Sequence, residues 1–77
     1  MSSAAELADE LAQETLDLVA VTGDSDLIRQ VSEKLATSST VAQEAFMSAV
    51  RLRMAIARAK EFLDEKRIAA NSAQKSE

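Results

Sequence analysis

The chain has 77 residues with no Cys, His, Tyr, Trp or Pro, a single Gly, and thirteen acidic against nine basic side chains for a formal charge of −4. Without His and Cys it lacks thiol nucleophiles, disulfides, soft-ligand zinc sites and histidine acid–base or phosphotransfer chemistry, and two phenylalanines form no stacking platform for single-stranded nucleic acid. One domain of this size buries only about 60% of its unfolded surface. Fifteen of its apolar residues are alanines, so the expected core is thin and association is the expected source of further stability.

Residues 3 to about 21 are expected to form a first helix, capped by Ser3 with Glu6 as its capping-box partner. Leu7, Leu11, Thr15 and Leu18 share one face, flanked by Ala4, Ala8 and Val21 and widened by Ala12, Leu16 and Val19. Glu6, Asp9, Glu10, Gln13 and Asp17 lie on the other side, and acids early in a helix complement its dipole. The opening MSSAAELADEL is acidic and lacks the basic start and apolar centre of a signal peptide. No apolar run reaches the roughly eighteen residues a membrane span needs, so the expectation is a cytoplasmic protein that does not enter membranes.

Gly23 is placed to close that helix in the left-handed conformation. Asp24 or Ser25 is then expected to cap a second helix over 24–36, in which Leu27, Ile28, Val31 and Leu35 form the buried stripe. Thr37 to Thr40 make the next joint, with Thr40 and Gln43 offering a capping box into a third helix over 40–70. The polar end, residues 71–77, is expected to be a disordered tail.

The third helix would be roughly 45 Å long, since nothing between Val41 and Ala70 interrupts it. Projecting its residues at about 100° each gives two apolar faces. Val41, Ala45, Ala49, Leu52, Ile56, Ala59 and Leu63 form an a/d stripe, the expected core contact. Phe46, Met47, Val50, Met54, Ala57 and Ile68 fall on the other side. Two charged seams separate the faces: Glu44, Arg51, Arg58 and Glu65, and Arg53, Lys60 and Arg67. Such a helix suits the middle of a bundle or an oligomer interface of coiled-coil type. Residues 1–28 carry seven acids and no base, whereas the remainder carries nine bases and six acids. That asymmetry favours packing the first helix beside the third, in the same chain or a partner.

No catalytic constellation emerges. Glu10 and Glu14 pair at i, i+4, and Asp9 and Asp17 lie on the same side, but without the Glu-x-x-His partner that di-metal carboxylate bundles require. Asp24 and Asp26 have EF-hand spacing without the Glu at the twelfth position, and one glycine cannot build a phosphate-binding loop. The expectation is therefore a non-enzyme with no cofactor and no metal.

Two segments resemble known modules. Gly23-Asp24-Ser25-Asp26-Leu27 resembles the Asp-Ser-Leu signature of acyl carrier proteins, with Asp26 interrupting the triplet, and implies a phosphopantetheine carrier modified at Ser25. VSEKLATSSTVAQEAFMSAV, residues 31–50, is similar to the helix-turn-helix of bacterial repressors and implies DNA binding. Val31, Leu35 and Val41 would pack the motif, and Ser38, Ser39 and Thr40 would open the recognition helix. Ala36 replaces the usual turn glycine, Gln43 and Glu44 stand where basic residues are common, and the net acidity opposes nucleic acid.

The sequence thus points to an all-α fold, a small three-helix bundle with a long third helix, associating as a helical dimer or holding a helical partner protein. The expected function is a non-catalytic interaction module such as an adaptor, assembly or regulatory subunit. Its expected partner-binding residues are Phe46, Met47, Val50, Arg51, Arg53, Met54, Ala57 and Arg58. The alternatives are the helix-turn-helix regulator and, behind it, the Ser25 carrier.

Overall fold

The computed structural model of the chain describes residues 2–75 and contains three helices: α1, Ala4–Thr22; α2, Leu27–Ala36; and α3, Thr40–Lys75. The architecture is the expected all-α bundle. In α1, the Ser3 hydroxyl accepts the Glu6 N–H at 3.1 Å, as the capping motif implies. At the other end Gly23 adopts φ 74° and donates its N–H to the Val19 carbonyl at 2.7 Å.

The two later caps differ from expectation. Asp24 Oδ1 accepts the Asp26 N–H at 3.0 Å, a side-chain turn that tightens the loop and delays α2 to Leu27. Asp26 then holds the N-cap position, but its carboxylate is taken by Arg29 and Gln30. At α3, Ser39 caps in place of Thr40: its hydroxyl accepts the Ala42 N–H at 3.1 Å and its carbonyl the Gln43 N–H at 3.1 Å. Gln43 instead reaches back to α2, donating Nε2–H to Ser32 Oγ at 3.1 Å. Helix α3 also continues past Ala70, the expected end, because Asn71 to Lys75 contain neither Gly nor Pro. The rest of the expected tail, residues 76–77, lies outside the described residues.

Side-chain pairing gives the directions. Arg53 binds Asp9 and Gln13, and Leu16 lies in the same groove as Ile56 and Lys60, so α1 and α3 run parallel with numbers rising together. Gln43 meets Ser32 while Met47 shares a groove with Ile28, so α2 runs antiparallel to α3. The bundle is a simple up-down-up arrangement.

Its core is small. Ala12, Phe46 and Val50 are sealed from solvent, with Leu11, Leu16, Ile28, Val31, Leu35, Met47 and Ala49 packed partly against them. On α1 the buried positions are Ala8, Ala12 and Thr15, whereas Leu7, Leu18 and Val21 are exposed. The expected leucine stripe is therefore rotated, because alanines let the α1 and α3 backbones approach and make room for the Phe46 ring. Thr15 is satisfied within its helix, donating to the Leu11 carbonyl at 2.8 Å. No buried side-chain polar atom among the described residues lacks a partner.

The molecule is extended. Its radius of gyration is 17.0 Å with a long dimension of 61 Å, against about 11.5 Å for a compact domain of this length. Its accessible surface is 5943 Å², against about 4,600 Å² for a compact monomer of equal mass. The excess comes from α3, every residue of which is exposed over 54–73.

With so little core, each sealed side chain matters. Phe46→Ala should cost about 3–5 kcal/mol, enough to unfold much of the population at 25 °C. Ala12→Leu should cost about 1–3 kcal/mol by separating the helices. Urea unfolding followed by circular dichroism measures both, and a Phe46→Ala midpoint within error of the parent would contradict this core.

Candidate functional site

The eight expected partner-binding residues divide when α3 is folded into the bundle. Phe46 and Val50 are 0% and 2% exposed and belong to the chain's own core, so neither can meet a partner without unfolding. This corrects the assignment of faces on α3. Both faces are apolar, but the aromatic ring fills more of the cleft between α1 and α2 than the alanine-rich stripe could, and it takes the interior. Met47 is half-buried beside Ile28 and Ser32. Met54, Ala57, Arg51 and Arg58 are exposed.

Arg53 is also committed internally. Its guanidinium forks onto the Asp9 carboxylate, Nε to Oδ1 at 2.7 Å and NH2 to Oδ2 at 2.6 Å, and NH1 donates to the Gln13 side chain. This joins the acidic first helix to the basic seam of the third, the pairing the charge asymmetry anticipated within one chain. The hydrogen bond from Arg53 holds the Asp9 carboxyl below the usual carboxylate range, opposed in part by desolvation. The pair is still 32% and 46% exposed, so water and salt screen it.

Released from the core, the a/d stripe becomes the principal apolar surface. Val41, Leu52, Ile56 and Leu63 are exposed, with Ala59 and Ala70 continuing the line toward the end of α3. Along the bundle half, α1 forms one wall of this stripe: Ala5, Asp9, Ala45, Ser48, Ala49 and Leu52 line one shallow groove. A second, of about 550 Å³, continues it between Asp9, Gln13 and Leu16 on α1 and Leu52, Ile56 and Lys60 on α3. Beyond the bundle α3 carries local pairs, Arg67 with Asp64 at 2.8 Å and the Lys66 ammonium 5.5 Å from the Phe62 ring centroid.

The two alternative motifs fold as follows. Ser25 lies exposed in the turn before α2, where its carbonyl accepts the Ile28 N–H at 3.3 Å. Residues 31–50 form helix, three-residue turn and helix, with Leu35 beside Val41 and Ala42 at one end of the bundle. Between Lys34 and Arg51 there is no basic side chain to meet phosphates, and the Gln43 amide is held by Ser32.

The described residues contain no cluster of three or more His, Cys, Asp or Glu placed to hold a metal. They contain no helix long and apolar enough to cross a membrane. Comparison with protein-family models, curated proteins and solved structures gives no match.

The sequence reasoning missed Leu52, Ile56 and Leu63 as surface residues. The bulk of Phe46 set against alanines on α1 was the signal that could have placed them outside.

Two carboxylates define a pH response. Arg29 binds Asp26 at 2.7 Å and 2.8 Å, and this bond, with a second from Gln30, lowers the Asp26 pKa to about 2. Asp9 is lowered in the same sense by Arg53. Groups depressed in the folded state stabilise it above their unfolded pKa, near about 4, and lose that contribution as pH falls through the folded value. The thermal midpoint should therefore drop between about pH 4 and pH 2. Carbon-detected NMR should place the Asp26 midpoint at about 2. Arg53→Met should return Asp9 to the ordinary carboxylate range, and an unmoved Asp9 titration would remove Arg53 as the cause.

Proposed function

We propose that this chain is a non-catalytic helical protein–protein interaction module whose contact surface is the apolar stripe of α3 bordered by α1. The observation that carries the reading is the exposure of Leu52, Ile56 and Leu63 in register along one face of a helix that outruns its own bundle. Isolated helices shorter than about 12–15 residues are marginal in water, and the segment of α3 beyond α1 is held mainly by itself. A protein laid along the stripe would bury apolar area and support that segment together. Leu52 and Ile56 act as anchors in this reading, and Lys60 and Arg67 form its charged border.

The surface excess of roughly 1,300 Å² over a compact monomer lies on α3, where every residue of 54–73 is exposed, and marks that helix as the element with surface left to cover.

Sedimentation velocity of the fluorescently labelled chain, alone and in native extract, reads self-association and heterologous binding together. The parent chain should sediment above its 8.3 kDa monomer mass in at least one setting. Ile56→Glu with Leu63→Glu should weaken that association more than about tenfold by burying charge in the contact. Glu61→Gln, away from the stripe, should leave it unchanged. A parent monomeric in both settings, or an Ile56/Leu63 double variant that associates as the parent does, would overturn the proposal.

A further inference from the structure

Resting on the reading of the α3 stripe as a contact surface, we infer that its occupant is a second copy of the chain, lying antiparallel about a two-fold axis near Leu52 and Ile56.

The charge bordering the stripe reverses along its length. Beside the bundle half runs α1 with Glu6, Asp9 and Asp17 and no basic residue of its own; Arg53 of α3 offsets Asp9 and leaves this border net acidic. From the end of α1 outward the near border is Lys60, which closes the α1 groove, and Arg67 with its partner Asp64 beside it, with Lys66 on the other side, while Glu61 and Glu65 project from α3 away from the stripe. An antiparallel copy brings the Lys60 and Arg67 of each chain to the acidic α1 of the other, and symmetry makes the contact twice. A parallel copy sets acid beside acid and base beside base. Asp64, the present partner of Arg67, forms an exposed pair with it that is readily exchanged.

Side-chain size follows the same reversal. With the axis near Leu52 and Ile56, the Leu63 of one copy falls on the Ala45 of the other, Ala59 falls on Ala49, and Leu52 meets Ile56. A leucine thus meets an alanine toward each end, alanine meets alanine between, and the large residues pack together at the centre, where a two-fold contact is self-complementary and closed.

A chain without cysteine accepts a single label cleanly. Ala69 is exposed and off the stripe, so Ala69→Cys can carry a nitroxide without entering the contact. The antiparallel dimer should give a dipolar distance of about 45 Å, thirty residues at about 1.5 Å each, with sedimentation at twice the 8.3 kDa chain mass. Lys60→Glu with Arg67→Glu should raise the dissociation constant about tenfold or more at low salt, and Glu6→Lys should recover part of the loss.

A distance below about 20 Å would mean parallel helices, whose axes lie about 8–10 Å apart, and would overturn the inference. So would a monomer with no dipolar coupling. A monomer that binds an unlike protein and loses it on Ile56→Glu with Leu63→Glu rejects the second copy while the contact-surface reading stands. A monomer with no stripe-dependent binding rejects both.

Discussion

Close approach of α1 to α3 at Ala12 is the contact on which the remaining structure depends. Ala12 is fully buried against Phe46 and Val50, and no larger side chain would let the two backbones come near enough to close over the aromatic ring. Once Phe46 is inside, the rotation of α3 about its axis is set. The face carrying Leu52, Ile56 and Leu63 is then turned outward beside α1, and Arg53 stands opposite Asp9 and Gln13. The salt bridge therefore follows from the packing and refines its register, since a partly exposed pair supplies little stability by itself.

A short bundle and a long third helix produce two regions of different character. Near the first two helices α3 is a core element with its polar partners satisfied, including Gln43 on Ser32. Beyond them it is a rod exposed on every side, with Leu63 and Ala70 continuing the stripe and charged residues along its borders. The rod explains the large radius of gyration and the excess surface, and it gives the interaction reading its physical basis. Acidic α1 walls one half of the stripe and basic residues border the other, an arrangement in which charge selects orientation while apolar burial supplies the affinity.

Much of the fold was legible in the chain. Gly23 and the Thr37 to Thr40 run mark the joints, Ser3 announces the first cap, and the acidic start of the chain points α1 toward the basic seam of α3. The face of α3 was harder to assign. Periodicity identifies both apolar stripes but not which one turns inward, because that depends on volumes supplied by residues some 35 positions earlier: Ala8 and Ala12 admit Phe46, whereas leucines there would not. The leucines of α1 weigh most in a hydrophobicity count, yet alanines set the distance between helices. The caps shifted for a related reason, since Asp24 and Asp26 have competing partners and only local geometry decides between them.

The inward face of α3 is the central claim, and thiol labelling measures it most directly in a chain with no cysteine of its own. Val50→Cys and Ile56→Cys, each reacted with a thiol reagent at a concentration low enough to dissociate any oligomer, compare the two faces. The structure predicts labelling of Ile56→Cys near the rate of an unfolded peptide and of Val50→Cys slowed by the free energy of opening the bundle. Equal rates, or faster reaction at Val50→Cys, would contradict the account.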